Sequence, residues 1–367
     1  MVKRRKSKYM SKIEKVIQLV PAFHYGDAIG ESMRNLAGWL SAEGIKNEIY
    51  ALEVDAELSR EAFVYHNQIP LTNEQTVIML HYALPSILNE IYRSLTGRKI
   101  LVYHNITPYE YFLPWNPELA FLTRTGREQI IALRDCTELA IADSEYNRKE
   151  LEEFGFKKTR VCPIWVPIDK LKKSANTMLA QSLKGKRVFL FVGRVVPNKK
   201  IEDIIKIVYW YRENIEANSI LVVVGKYGSV PKYYYWLREY GRALNYSERE
   251  LLFTGHISYE DLAAYYSAAS VFISMSEHEG FCVPLVESMY YGLPVVAYAS
   301  AAVSEILEDA GILVYTKRFE YIAELLYELN TDIELRNRVI ELERERINDF
   351  RDENMFKIWH NIFSYFR

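Results

Sequence analysis

The chain has 367 residues, enough for two domains, and 49% of them are hydrophobic, the balance of an ordinary globular protein. Its 46 basic and 48 acidic residues leave a formal net charge of −2, which argues against nucleic acid as the main partner. Three separated cysteines, Cys136, Cys162 and Cys282, offer neither a CxxC zinc site nor a disulfide framework, and no apolar run approaches the roughly 18 residues of a membrane helix.

Taken in chain order, the first feature is the basic run "KRRKSKYMSKIEK", assigned to a tail over residues 1–15. A solvated tail is the first expectation; attraction to an anionic lipid surface is the second. The expected compartment is the cytoplasm, with peripheral contact at the cytoplasmic membrane face under the second reading. The strand-like "VIQLVPAF" then ends in the turn "HYGDAIG", with Gly26 and Gly30, and leads to an amphipathic helix around Ser32–Glu43. Further strands are expected at "NEIYAL", "TVIML", "KILVYHN" and "LAIADS", with helices near Pro85–Leu95 and Tyr146–Phe154.

The second half repeats this alternation. "RVFLFVG", "SILVVVG", "ELLFTG", "VFISMS", "PVVAY" and "GILVY" read as strands, separated by helices at Ile201–Glu213, Pro231–Leu244, Tyr259–Ala269 and Pro284–Tyr291. Short, nearly continuous apolar strands between helices mean parallel sheets covered on both faces. The expected architecture is α/β, with two facing Rossmann-like domains over 16–169 and 187–348 and a polar linker over 170–186. A helix over 349–367, with apolar residues at 355, 356, 358, 359, 362, 363 and 366, is expected to have a broad buried face. The charged "ELERERINDFRDE" before it reads as a solvated helix surface.

Glycine is scarce, 16 of 367 residues, so its recurrence at strand ends carries weight: in open parallel sheets that edge binds ligands. In "SEHEGFCVPLVES", Pro284 suits the first turn of a helix and puts Gly280–Val283 in the turn that feeds its N-terminus. Free N–H groups and the helix dipole there form an anion site. Glu279 and Glu287 would repel that anion, but a carboxylate accepts hydrogen bonds from a vicinal diol. One diol on each side of a diphosphate describes a nucleotide sugar. Countercharge is available in "FVGRVVPNKK", where Arg194 and Lys199 follow Gly193 in a strand-to-helix turn. His104, at the strand end in "VYHNITPYEYF", could bond a sugar or an incoming hydroxyl, although an isolated histidine there is more often structural. No DxD occurs, so no divalent metal site is expected on the diphosphate.

On these residues the chain resembles the family 4 glycosyltransferases, retaining enzymes of the GT-B fold. The segments that carry the resemblance are "HYGDAIG", "YHNITP", "ADSEYNRKEL", "VGRVVPNKKIED", "GHIS" and "SEHEGFCVPLVESMYYGLPVVAY". It implies that Glu287 binds the donor ribose, Glu279 the transferred hexose, and Arg194 and Lys199 the diphosphate. Gly280, Phe281, Cys282, Val283 and Leu285 would offer backbone groups to sugar and phosphate, and His256 would border the base. His104 would lie near the anomeric carbon, and the last helix would cross back onto the first domain. Lys200 departs from the family pattern, in which glycine commonly follows the phosphate lysine. The implied donor is GDP-mannose or a UDP-hexose, and the implied acceptor a saccharide, lipid-linked or small-molecule hydroxyl, with no further cofactor. The alternative is a non-hydrolysing sugar-nucleotide epimerase of the same double-Rossmann fold, which lacks a use for the E-x7-E pair.

Overall fold

The near-continuous apolar runs become two fully parallel sheets. In a computed structural model that describes residues 13–65, 71–166, 168, 171 and 175–366, the first half forms β1 (Lys15–Phe23), α1 (Ala28–Ala42), β2 (Lys46–Val54), β3 (Phe63–Val64), β4 (Thr76–Tyr82), α2 (Leu88–Ser94), β5 (Arg98–Tyr103), α3 (Pro117–Gln129), β6 (Leu139–Ala142), α4 (Glu145–Glu153) and β7 (Thr159–Val161). The second half follows with α5 (Thr177–Ser182), β8 (Arg187–Val192), α6 (Ile201–Asn214), β9 (Ser219–Val224), α7 (Pro231–Ala243), β10 (Leu251–Gly255), α8 (Tyr259–Ala268), β11 (Val271–Ser274), α9 (Val283–Tyr291), β12 (Val295–Tyr298), α10 (Val303–Leu307) and β13 (Ile312–Val314). The chain closes with α11 (Phe319–Thr331), α12 (Ile333–Arg346) and α13 (Asp352–Ser364).

The first sheet has the order β3-β2-β1-β4-β5-β6-β7 and the second β10-β9-β8-β11-β12-β13. In both, the order reverses beside the first strand of the series, which creates a crevice at the strand ends. Alternation along each strand explains the apolar runs. Val16, Val77, Met79, Ile100 and Val102 pack on one face of the first sheet with Trp39 and Leu40 of α1 and Trp359 and Phe363 of α13. Their neighbours Ile17, Ile78, Leu80 and Leu101 pack on the other with Leu88 and Tyr92 of α2 and Leu151 of α4.

The chain divides into two compact units, one of Met1–Pro108, Phe121–Pro167 and Phe350–Arg367 and the other of Tyr109–Ala120 and Ile168–Asp349. Helix α13 thus belongs to the first unit, as its apolar spacing requires. Two segments depart from the simple halves. Tyr109–Ala120 leaves the first half and joins the core of the second unit, where the Trp115 ring meets Tyr233 edge-on and Trp236 at a tilt, at centroid distances of 5.1 and 5.3 Å. The polar stretch 170–186, expected as a linker, contains α5, which Asn176 caps from within while bonding Asp261 at 2.7 Å.

Helix α1 starts four residues earlier than its apolar period suggests. Asp27 is its N-cap and accepts from Gly30 N at 3.3 Å, so Gly30 lies inside the first helical turn and only Gly26, at φ +73°, belongs to the turn itself. The run read as a solvated surface also needs correction: Glu343 of α12 is fully buried, and its Oε1 accepts from Val295 N at 2.9 Å. Residues 1–12 of the basic tail lie outside the described residues, and Lys15 opens β1.

Candidate active site

At the C-terminal ends of β8, β9 and β10 in the second unit, three glycine-bearing segments come close together. Gly193 N donates to Val224 O at 2.8 Å and Gly225 N to Gly255 O at 3.0 Å. A Cβ on Gly225 would sit 2.1 Å from Gly193 O, so no side chain fits there. The backbone then turns through Arg194 into a 3-10 turn over Pro197–Lys199, and Lys200 caps α6 in the left-handed region at φ +50°. That conformation explains why glycine suits the position, since an L side chain there costs about 1–2 kcal/mol.

The loop between β11 and α9 lies against this turn. Asn198 is buried and joins the two: its carbonyl accepts from Glu277 N at 2.8 Å, and its Nδ2 donates to His278 O at 2.9 Å. Lys199 Nζ reaches both oxygens of Glu279, at 2.5 and 2.6 Å. Arg194 is exposed and makes no side-chain hydrogen bond or ion pair among the described residues.

Helix α9 begins after Cys282, itself left-handed at φ +76°, with Pro284 in its first turn and no side chain capping it. Pro has no N–H to orphan, and the uncapped turn keeps its dipole available to an anion. Phe281 and Leu285 are buried beneath the turn, while Gly280 and Val283 are partly exposed. Burial pushes the Cys282 thiol well up, with Glu279 adding to the effect and Lys199 opposing it, which leaves this cysteine a poor nucleophile. Glu287 stands one turn into α9 and accepts from Tyr266 Oη at 2.7 Å. Burial raises its pKa, and the tyrosine bond pulls the other way.

Residues 177–346 match the family model of the group 1 glycosyl transferases. The similarity to that family is carried by this segment, 170 of the 367 residues. Among curated relatives, O-antigen chain mannosyltransferase B of Escherichia coli is 28% identical over 144 residues, 39% of this chain and 37% of that protein. A GDP-mannose-dependent alpha-mannosyltransferase of Mycobacterium tuberculosis is 25% identical over 266 residues, 68% and 65% of the two chains. The matched region therefore spans from about a third to two thirds of these relatives' lengths. Among solved structures, Anabaena Alr3699/HepE in complex with UDP-glucose superposes with a TM-score of 0.75 at 17% identity, covering 96% of this chain and 99% of that one. The fold of the whole chain is therefore that of the GT-B glycosyltransferases.

Within the matched segment, Gly193, Arg194, Lys199, Glu279, Gly280, Phe281, Cys282, Val283, Leu285 and Glu287 fall on the β8–α6 turn, the β11–α9 loop and the first turns of α9. His256 is exposed just past the end of β10. Gly26, Gly30 and His104 belong to the other unit.

His104 is not the isolated histidine its strand-end position suggests. Its side chain is only 3% exposed, with Nδ1 2.9 Å from Asp143 Oδ2 and Nε2 2.9 Å from His81 Nδ1. His81 Nε2 in turn lies 3.0 Å from Gln18 Oε1. Gln18 can only accept through that oxygen, so His81 donates from Nε2 and accepts at Nδ1 from His104 Nε2–H. Burial keeps His81 neutral, its pKa well below the usual range. All bonds are then made when one proton is held between His104 Nδ1 and Asp143, whose pKa burial raises while His104 lowers it. Both nitrogens of the His104 ring are thus bonded inside the first unit.

Sequence reasoning also missed Asn198 and Tyr266. A buried asparagine in a Pro-Asn-Lys turn is indistinguishable by type from a solvated one, and Tyr266, one of three tyrosines in α8, belongs to no motif. Tyr111, 6.4 Å from the His278 ring, reaches the glutamate loop on the displaced 109–120 segment; the aromatic density of "YEYFLPW" was its one visible signal.

Proposed function

We propose that the chain transfers a hexose from a nucleoside-diphosphate sugar to a hydroxyl of a saccharide, lipid-linked or small-molecule acceptor, with retention at the anomeric carbon and without a divalent ion. The observation that carries this reading is the joining, through Asn198, of a turn bearing Arg194 and Lys199 to a loop bearing Glu279 and the uncapped start of α9. Cations, an open helix N-terminus and hydroxyl-accepting carboxylates on one sheet edge suit a diphosphate flanked by two sugars.

In this reading Arg194, Lys199 and the α9 N-terminus stabilise the charge that develops on the departing diphosphate, the largest rate term. The bond between the anomeric carbon and the phosphate oxygen breaks, the acceptor oxygen bonds the same face, and its proton passes to the leaving phosphate. Neither glutamate acts as a nucleophile. Glu287 is assigned to the ribose and Glu279 to the hexose. The mannosyltransferases among the relatives favour GDP-mannose; the UDP-glucose bound to Anabaena HepE supports UDP-hexoses as the second reading. No helix among the described residues is long and apolar enough to cross a membrane, and the basic run "KRRKSKYMSKIEK" is the proposed contact with an anionic surface that carries a lipid-linked acceptor.

Thermal shift against a panel of nucleotide sugars tests the donor, because a ligand of the native state raises Tm. GDP-mannose should give the largest rise, and GDP release from it should continue in EDTA. No shift with any nucleotide sugar would overturn the donor reading; loss of activity in EDTA, restored by Mg²⁺ or Mn²⁺, would overturn the metal-free one.

A further inference from the structure

Lys199 and Glu279, assigned above to different parts of the donor, are each other's partner. The contact is bidentate at 2.5 and 2.6 Å, with side chains only 16% and 7% exposed. Their backbones are held independently of it. Lys199 N donates to Val196 O at 3.0 Å, Asn198 binds both Glu277 N and His278 O, and Glu279 O accepts from Ala302 N at 3.2 Å. The side chains can therefore part without moving either loop. A carboxylate held on both oxygens by an ammonium has fewer lone pairs left for hexose hydroxyls, and an ammonium so held has less charge to offer a phosphate.

We propose that this ion pair makes hexose recognition conditional on the diphosphate: an incoming diphosphate draws Lys199 away and so frees Glu279 to accept the hexose hydroxyls. The proposal rests on the donor reading above and deepens it. Arg194, exposed and without a side-chain partner among the described residues, meets the diphosphate first. Each phosphate of an esterified diphosphate carries a negative charge, so it can compete with a single carboxylate for Lys199, whereas an uncharged sugar cannot. The site thereby selects hexoses by the charged group they carry, and it rejects free sugars without a steric barrier. The pair also imposes a cost on the free nucleoside diphosphate, which must separate it and receives no hydroxyl contacts in return.

That cost has a sign that calorimetry can read. Glu279→Gln removes the competitor while it preserves shape, so GDP or UDP, whichever the wild type binds, should bind the variant about fivefold tighter or more. In a Lys199→Met background the same substitution should give no gain, because the coupling is between these two side chains. Equal or weaker nucleotide binding by Glu279→Gln, or an equal gain with and without Lys199, overturns the proposal and leaves the donor reading standing. Failure of the wild type to bind GDP, UDP or any nucleotide sugar overturns both.

Discussion

Two strand-end crevices, built the same way, have been put to different uses. In the first unit Gln18, His81, His104 and Asp143, from β1, β4 and the ends of β5 and β6, form a closed hydrogen-bond chain with its rings stacked and buried. In the second, the ends of β8 and β11 leave Arg194 exposed and α9 uncapped, and Lys199 and Glu279 pair with side chains 16% and 7% exposed. The same fold position therefore leaves polar groups satisfied by one another in one unit and open in the other. What distinguishes the two is whether the polar groups are satisfied by one another, which rigidifies, or remain available, which binds.

The comparison breaks most sharply on Arg194. Arg194→Ala should lower turnover by roughly 10²-fold while leaving the unfolding transition in place, because the guanidinium has no side-chain partner among the described residues and is proposed to serve the leaving group. Loss of stability with turnover intact would place Arg194 with the structural groups.

A smaller effect is expected at the other crevice. Asp143→Ala leaves His104 Nδ1 without its partner in a buried site and should cost about 1–3 kcal/mol in urea denaturation, with nucleotide affinity unchanged. Asp143→Asn should lose much less, because its amide N–H can donate to His104 Nδ1 and keep every ring neutral. If instead both variants bind nucleotide poorly while folding normally, the chain has a role in the donor site.

The gentlest test shows that inward use of a polar group is not confined to the first unit. Buried Glu343 has its pKa pushed up to about 8 by desolvation, against which the Val295 N–H bond and Arg336 act. A carboxyl whose folded pKa is raised contributes its full stability below its ordinary value of 4.5 and loses it as pH rises toward 8. Wild-type stability should therefore decline across that window by at most about 1.4 kcal/mol per pH unit. Glu343→Gln, which keeps an acceptor for Val295 N, should flatten the decline. An unchanged slope in chemical denaturation from pH 5 to 8 would show that Glu343 is ionised in place.

Much of this was legible in the chain. The strands from "VIQLVPAF" to "GILVY" stand where their apolar runs lie, because a strand covered on both faces has no polar alternation to confuse it. Pro284 marked the start of α9, since its fixed φ and missing N–H suit a first turn. Less visible were the elements without a periodic signal: α5 inside a polar stretch, the Asp27 cap that starts α1 early, and Glu343 inside a charged run.

By itself, then, the sequence determined two parallel α/β units, the strand-end glycines and the charges that surround them, all of which depend on local pattern and backbone chemistry. Only the tertiary structure decided which charges meet. Lys199 and Glu279 are 80 residues apart, as the phosphate lysine and the hexose carboxylate they could be assigned separately, and nothing in either segment says that they pair. His81 and His104 likewise look like ordinary members of two strand regions until β4 and β5 pair in register, His81 beside Val102, and bring the rings together. Such partnerships depend on distance in space, and a charge or ring nitrogen is available to a ligand only to the extent that its neighbours in the fold leave it so.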